Sequence, residues 1–209
     1  INMNDQLNRY LFDNVHVRGE LVQISETYQE IIKNHDYPTQ VNHLLGQMLA
    51  ATSMMTALLK FEGDIAVQIQ GDGPISAIVV NGNDQQELRG VANIKGDVTT
   101  DKLTDLFHKG YIVITITPIQ GERYQGIVAL DKDTLAECLE AYFEQSEQLK
   151  THFWLRVNDD NAAGMMIQAL PEERDTDDDG YDNLRQLSAT IKDEELLELE
   201  ANTIHVSYT

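Results

Sequence analysis

Cysteine is almost missing from this sequence. Cys138 is the only one in 209 residues, so no disulfide can close within one chain. Long apolar runs are missing too: the strongest reach about eight residues, against the roughly twenty that a membrane-spanning helix needs. No basic-then-apolar segment opens the chain, and Ile1-Asn2 before Met3 read as a remnant preceding the natural start. The default expectation is therefore a cytoplasmic protein with no membrane partner. Basic residues are scarce, fifteen against thirty-five acidic ones, for a net charge of −20. Such a surface repels phosphate backbones and speaks against nucleic acid as a partner. Its ordinary meaning is solubility. With only four prolines, long stretches are free to form regular elements.

What remains patterns clearly. Leu7 to Ile24 alternates around Asn14 and Gly19 and reads as two strands. Ser25 is placed to cap a short helix that ends before Pro38, and Thr39 to cap a second, long one reaching Leu59. The second carries Val41, Leu44, Leu45, Met48, Leu49 and Met55 at helical spacing. From Asp64 the period drops to two. Strands are expected at Ile65–Ile69, Ile75–Val80 and Leu88–Ile94, with turns at Asp72-Gly73 and Asn81-Gly82. A short helix at Asp101–His108, a hairpin of Tyr111–Thr117 and Tyr124–Leu130, and a helix opened by a Thr134/Glu137 capping box follow. Two last strands are Thr151–Val157 and Gly164–Leu170. The fold class expected is α+β, antiparallel sheets packed with a few helices. After Pro171 the composition changes: residues 172–200 hold twelve acidic and three basic side chains. The chain is thus read as a core domain, 1–171, and an acidic linker with a C-terminal helical segment, 172–209.

Reactive chemistry is hard to find. Cys138 lies on the stripe Leu135, Cys138, Leu139, Tyr142, Phe143, which marks an inert core thiol. Asp175 to Gly180 opens like a calcium loop, but position 12 is Gln186 and position 8 is Asp182, so a solvated acidic linker is the better reading. Six scattered histidines show no metal-ligand spacing. No catalytic, cofactor or metal residue is assigned. An enzyme built at the hairpin tips from Glu122, Arg123 and a histidine stands as the rival reading; for Arg123 alone, pairing with a neighbouring carboxylate is the commoner outcome.

Apolar residues on otherwise polar faces are more suggestive. Trp154 shares a strand face with His152 and Arg156, opposite Phe153, Leu155 and Val157. Adjacent Met165 and Met166 must point to opposite faces, and Met54 and Met55 do something similar on the long helix. Soft methionines and a partly exposed aromatic suit a surface that accepts many polypeptides. Burial under a covering helix or a partner is the competing explanation for each.

Several strings, in order and spacing, resemble one family: Gln70-Gly71-Asp72-Gly73-Pro74, Val80-Asn81-Gly82-Asn83, Leu88-Arg89-Gly90-Val91-Ala92, Gly110 to Pro118, Gly121-Glu122-Arg123-Tyr124-Gln125-Gly126, and Leu135 to Leu149. That family is the redox-regulated 33 kDa heat-shock chaperone of bacteria, and the resemblance runs from about Asp5 to Ala201. It implies an ATP-independent holdase without enzymatic activity, which binds unfolding client proteins and forms homodimers that can exchange segments. It also implies a C-terminal domain holding zinc on four cysteines, with oxidation forming disulfides and releasing the metal. Those cysteines are not in this sequence. No cofactor is therefore expected in this chain, which should hold clients without a redox switch. Client contacts are expected at Trp154, Met165, Met166, Met54 and Met55.

Overall fold

A computed structural model describes residues 5–12, 15–59, 62–171 and 178–198. Two antiparallel sheets enclose one long helix. The first sheet joins the ends of the chain: β1 (Gln6–Phe12), β2 (Val17–Gln23), β8 (Thr151–Val157) and β9 (Ala162–Ala169) lie in the order β1-β2-β9-β8. The second contains β3 (Gly63–Gln70), β4 (Ile75–Asn83), β5 (Leu88–Ile94), β6 (Tyr111–Pro118) and β7 (Tyr124–Ala129), ordered β5-β4-β3-β6-β7. Four helices complete the body: α1 (Ser25–Lys33), α2 (Thr39–Ala57), α3 (Leu103–Phe107) and α4 (Leu135–Tyr142), the last running into a π-helical turn at Phe143–Glu147.

Helix α2 touches strands of both sheets. It is buried on nearly every side from Val41 to Thr56, which is why its sequence is apolar all round rather than striped. Of its buried hydroxyls, Ser53 and Thr56 are matched locally while Thr52 Oγ1 is not. Ser53 Oγ donates to Gln86 Oε1 at 2.6 Å, and Gln86 Nε2 donates to Thr56 Oγ1 at 2.6 Å. The turn carrying Gln86, in left-handed backbone at φ 60°, clamps the helix to the second sheet. The turn expected at Asn81-Gly82 therefore lies later: both residues belong to β4, and Gly82 is small because Leu88, Thr52 and Thr56 crowd the space a Cβ would fill.

The helix starts also differ from expectation. No side chain caps α1 from within; Asp5, on the approach to β1, accepts from the backbone N–H of Glu26 and Thr27, each at 2.9 Å. Thr39 is the first residue of α2, after Pro38, and gives no cap bond. The Thr134 cap of α4 is present, its Oγ1 accepting from Glu137 N at 3.2 Å.

The Gly71-Asp72-Gly73 string seats α3. The Phe107 carbonyl accepts from Asp72 N at 3.0 Å and Gly73 N at 3.2 Å, and Asp72 Oδ1 accepts from Lys109 N at 3.0 Å. A Cβ on Gly71 would lie 2.2 Å from Phe107 O.

One buried charge stands out in the first sheet. Glu20 on β2 is 2% exposed, opposite Arg9 on β1 and Met166 on β9, and its Oε2 has no hydrogen-bond partner. Burial raises its pKa to about 8, against the opposing pull of Arg18 and Arg9.

Two outcomes follow. Gly71→Ala meets backbone it cannot displace and is expected to lower stability by about 1–3 kcal/mol in urea titration, whereas Gly96→Ala, with Pro74 Cα at 3.5 Å as nearest atom, stays within about 0.5 kcal/mol. For Glu20 the folded pKa is raised, so the native state binds the extra proton. Stability falls as pH climbs from the unfolded carboxyl range to about 8. Glu20→Gln is expected to match the parent near pH 4.5 and exceed it by about 1–3 kcal/mol at pH 8. A constant difference across that range would show that Glu20 does not carry the titration.

Candidate functional site

Both faces of the first sheet are apolar. The inner one joins α2 and the second sheet in a single core containing Val22, Phe153, Leu155 and Met166. The outer face forms a separate cluster of Val17, Leu21, Trp154, Ala163, Met165 and Ile167. Strand register sets its rows: Leu21 faces Met165, which faces Trp154, and beside them Tyr10, Gly19, Ile167 and His152 run across all four strands.

Two short helices cover this outer face, α5 (Asp178–Ser188) and α6 (Asp193–Glu198). They contribute Tyr181 and Leu196 to the cluster, with Leu184, Ile191 and Leu197 packed at its margin. Polar anchors are few. Gln23 Nε2 donates to the Leu196 carbonyl at 3.1 Å, and Arg156 Nε donates to Asp193 Oδ1 at 2.6 Å in a largely exposed pair. Burial pushes the Tyr181 phenol well above its usual pKa, so it stays neutral under the sheet. The helix thus starts at 178, inside the stretch read as linker. Leu187, three residues after Leu184 on α5, points outward and is 66% exposed. The calcium-like string begins in residues 172–177, outside the described part.

The five expected client contacts divide between the two clusters. Met54, Met55 and Met166 lie in the central core, fully shielded because α2 is wrapped by both sheets. Trp154 and Met165 lie on the outer face, but under α5 and α6, with 8% and 7% of their surface exposed. The partly exposed aromatic expected from the strand pattern is therefore buried. Its polar neighbours sit beside the cover, with His152 Nδ1 2.8 Å from Glu140 and Arg156 tied to α6.

Another surface escaped the sequence reading. On the outer face of the second sheet, Val91, Val79, Gln68, Val113 and Ile127 line up across five strands. The flanking rows are Asn93, Ala77, Gln70, Tyr111, Ala129 and Arg89, Asn81, Ala66, Thr115, Gln125. Arg89 is the one charge in these three rows, on a chain of net −20, and Ile127 is 70% exposed. The signal was available in the outward positions of these strands, which carry mostly amide, hydroxyl and aliphatic side chains, with Asp64 the one carboxylate, at the start of β3.

Chemistry of other kinds finds little support. Cys138 is fully buried, and burial pushes its thiol pKa up, the reverse of what a nucleophile needs. Glu122 and Arg123 are exposed at the hairpin tip, and among the described residues neither forms an ion pair, so the expected carboxylate partner of Arg123 is not there. No group of three His, Cys, Asp or Glu side chains converges among the described residues. The four cysteines on which the resemblance places zinc are not in this sequence, whose one cysteine is the buried Cys138. No helix among the described residues is long and apolar enough to cross a membrane.

Comparison with known proteins matches this architecture. The model of the family described as Hsp33 protein matches residues 5–208. A 33 kDa chaperonin of Shewanella woodyi is 58% identical over 201 residues, covering 96% of this chain and 70% of the relative. One of Pseudoalteromonas translucida is 55% identical over 204 residues, covering 96% and 73%. The crystal structure of the 33 kDa chaperonin from Thermotoga maritima shares the fold, with a TM-score of 0.80 at 20% identity over 93% of this chain and 71% of the other. The chain belongs to the Hsp33 family of chaperones.

Proposed function

We propose that this chain is an ATP-independent holdase, whose client surface is the outer face of the β1-β2-β9-β8 sheet, uncovered when α5 and α6 lift away. The observation that carries this is the nature of the cover. It consists of helices of eleven and six residues, lengths that are marginal as isolated helices in water. Their region is strongly acidic, with net −9 over residues 172–200, and the remaining chain is net −11, so charge repulsion opposes docking. Apolar contact of Tyr181 and Leu196 with the sheet holds them down.

The energetics suit reversible binding. A client patch of ~500 Å² at about 25 cal/mol per Å² yields roughly 12 kcal/mol gross. Association costs of ~4–15 kcal/mol leave micromolar affinity for many clients. Redox control by zinc release and disulfide formation is proposed only for a longer protein with four further cysteines. These 209 residues, having one buried cysteine, are proposed to hold clients without oxidation. The same reading places the protein in the cytoplasm and as a homodimer. The uncharged centre of the second sheet's outer face is where two copies of so acidic a chain meet with least repulsion.

Trp154 is the only tryptophan and reports directly on the cover. Leu196→Asp is expected to red-shift its emission and to strengthen suppression of light scattering by a thermally unfolding client without nucleotide. A red shift with no gain in holding would remove this face as the client surface. Failure of the parent chain to suppress aggregation at stoichiometric excess would remove the holdase reading itself. For the dimer, Ile127→Glu is expected to lower the sedimentation coefficient to that of a monomer; an unchanged dimer would place the interface elsewhere.

A further inference from the structure

A second apolar space lies on the opposite side of the first sheet from the α5–α6 cover. Where the C-terminal end of α2 meets β3 and β6 and the start of the π-helical turn, a cavity of about 740 Å³ opens against β2 and β9. Its walls include Met55, Leu58, Ile65, Ile116 and Phe143. Its polar part includes Arg18 and Gln168. The volume falls in the roughly 300–1,000 Å³ range of small-molecule sites, and apolar walls with few polar groups are their usual composition.

The polar part is preorganised. Gln168 is fully buried, and its Nε2 donates to Thr151 Oγ1 at 2.9 Å, which fixes its Oε1. Arg18 Nε donates to that Oε1 at 2.9 Å, and Nη2 donates to the same oxygen. One amide oxygen thus takes both donors, and among the described residues the guanidinium has no carboxylate within ion-pair distance. The nearby acid, Glu20, has its pKa raised to about 8 by burial, which weakens it as a counter-charge to Arg18. Burial also works against the Arg18 charge, a penalty that a bound anion relieves. Glu147 lines the cavity too, but it is exposed and solvated, which screens its repulsion.

We infer that this cavity binds a fatty-acid-like monocarboxylate, the carboxylate on Arg18 and the alkyl chain along the α2–β3–β6 wall. A single guanidinium with part of its donor set already used matches a small head of one charge. A phosphate dianion asks for more cations than this chain of net −20 offers here. The apolar wall requires a tail.

The test is calorimetric titration of the intact chain with dodecanoate, dodecanol and dodecyltrimethylammonium below their micellar concentrations. Dodecanoate is expected to bind at least about tenfold tighter than dodecanol, with the ammonium weakest. Shortening the acid is expected to cost about fourfold per methylene. Arg18→Gln is expected to erase the head-group preference while leaving dodecanol binding unchanged. Leu58→Trp, which narrows the apolar wall and keeps Arg18, is expected to weaken binding of both. Equal affinity for the three heads, or a preference that survives Arg18→Gln, overturns the proposal. So do methyl NMR shifts on titration that fall on Met165 instead of Met55. A peptide with a free apolar C-terminus that outcompetes dodecanoate overturns the assignment to a lipid acid.

Discussion

Burial of α2 on every side is the constraint from which the rest follows. A helix with no polar face cannot sit on a protein surface, so it needs a layer on each side. The two sheets supply those layers, and the small residues where they approach it record how close the contact is: Gly90 leaves room for Leu45, and Gly164 for Met54. Using the inner faces of both sheets this way leaves two outer faces to be accounted for.

Those faces are treated in opposite ways. The face of the β5-β4-β3-β6-β7 sheet stays open, and its three central rows carry amide, hydroxyl and aliphatic side chains with Arg89 as their one charge. The face of the β1-β2-β9-β8 sheet is greasier, with Trp154, Met165, Leu21 and Ile167, and is closed by a late acidic segment. Among the described residues that cover is held by Tyr181 and Leu196, by one buried amide–carbonyl bond and by one exposed ion pair, and its charge matches the sign of the body. The proposed client surface needs this balance, since a face left open would self-associate and one sealed by a large interface would not open.

Polar groups inside the first sheet follow a different logic. Arg18, Glu20 and Gln168 lie where an ordinary core would be apolar. Glu20 keeps an unsatisfied oxygen, and among the described residues Arg18 bonds an amide and forms no ion pair, a cost to stability retained beside a cavity. Groups held at such a cost mark places where a ligand or a proton changes the energy of the fold.

The strand patterns of residues 7–24, 64–130 and 151–170 and the Thr134 box placed the nine described strands and α4 from sequence alone, because strand period and local capping act over a few residues. The Gly71-Asp72-Gly73 and Gly121 strings carried the family resemblance because they are local backbone solutions, one seating α3 and the other turning a hairpin with Gly121 at φ 123°. Tertiary structure alone decided which β-patterned segments share a sheet, that Asp5 caps α1 across the chain, and that Trp154 is covered while Ile127 is not. The strand pattern states that a residue has two possible sides. Which side meets water depends on contacts between segments more than a hundred residues apart, such as β2 with β9 and Gln23 with Leu196.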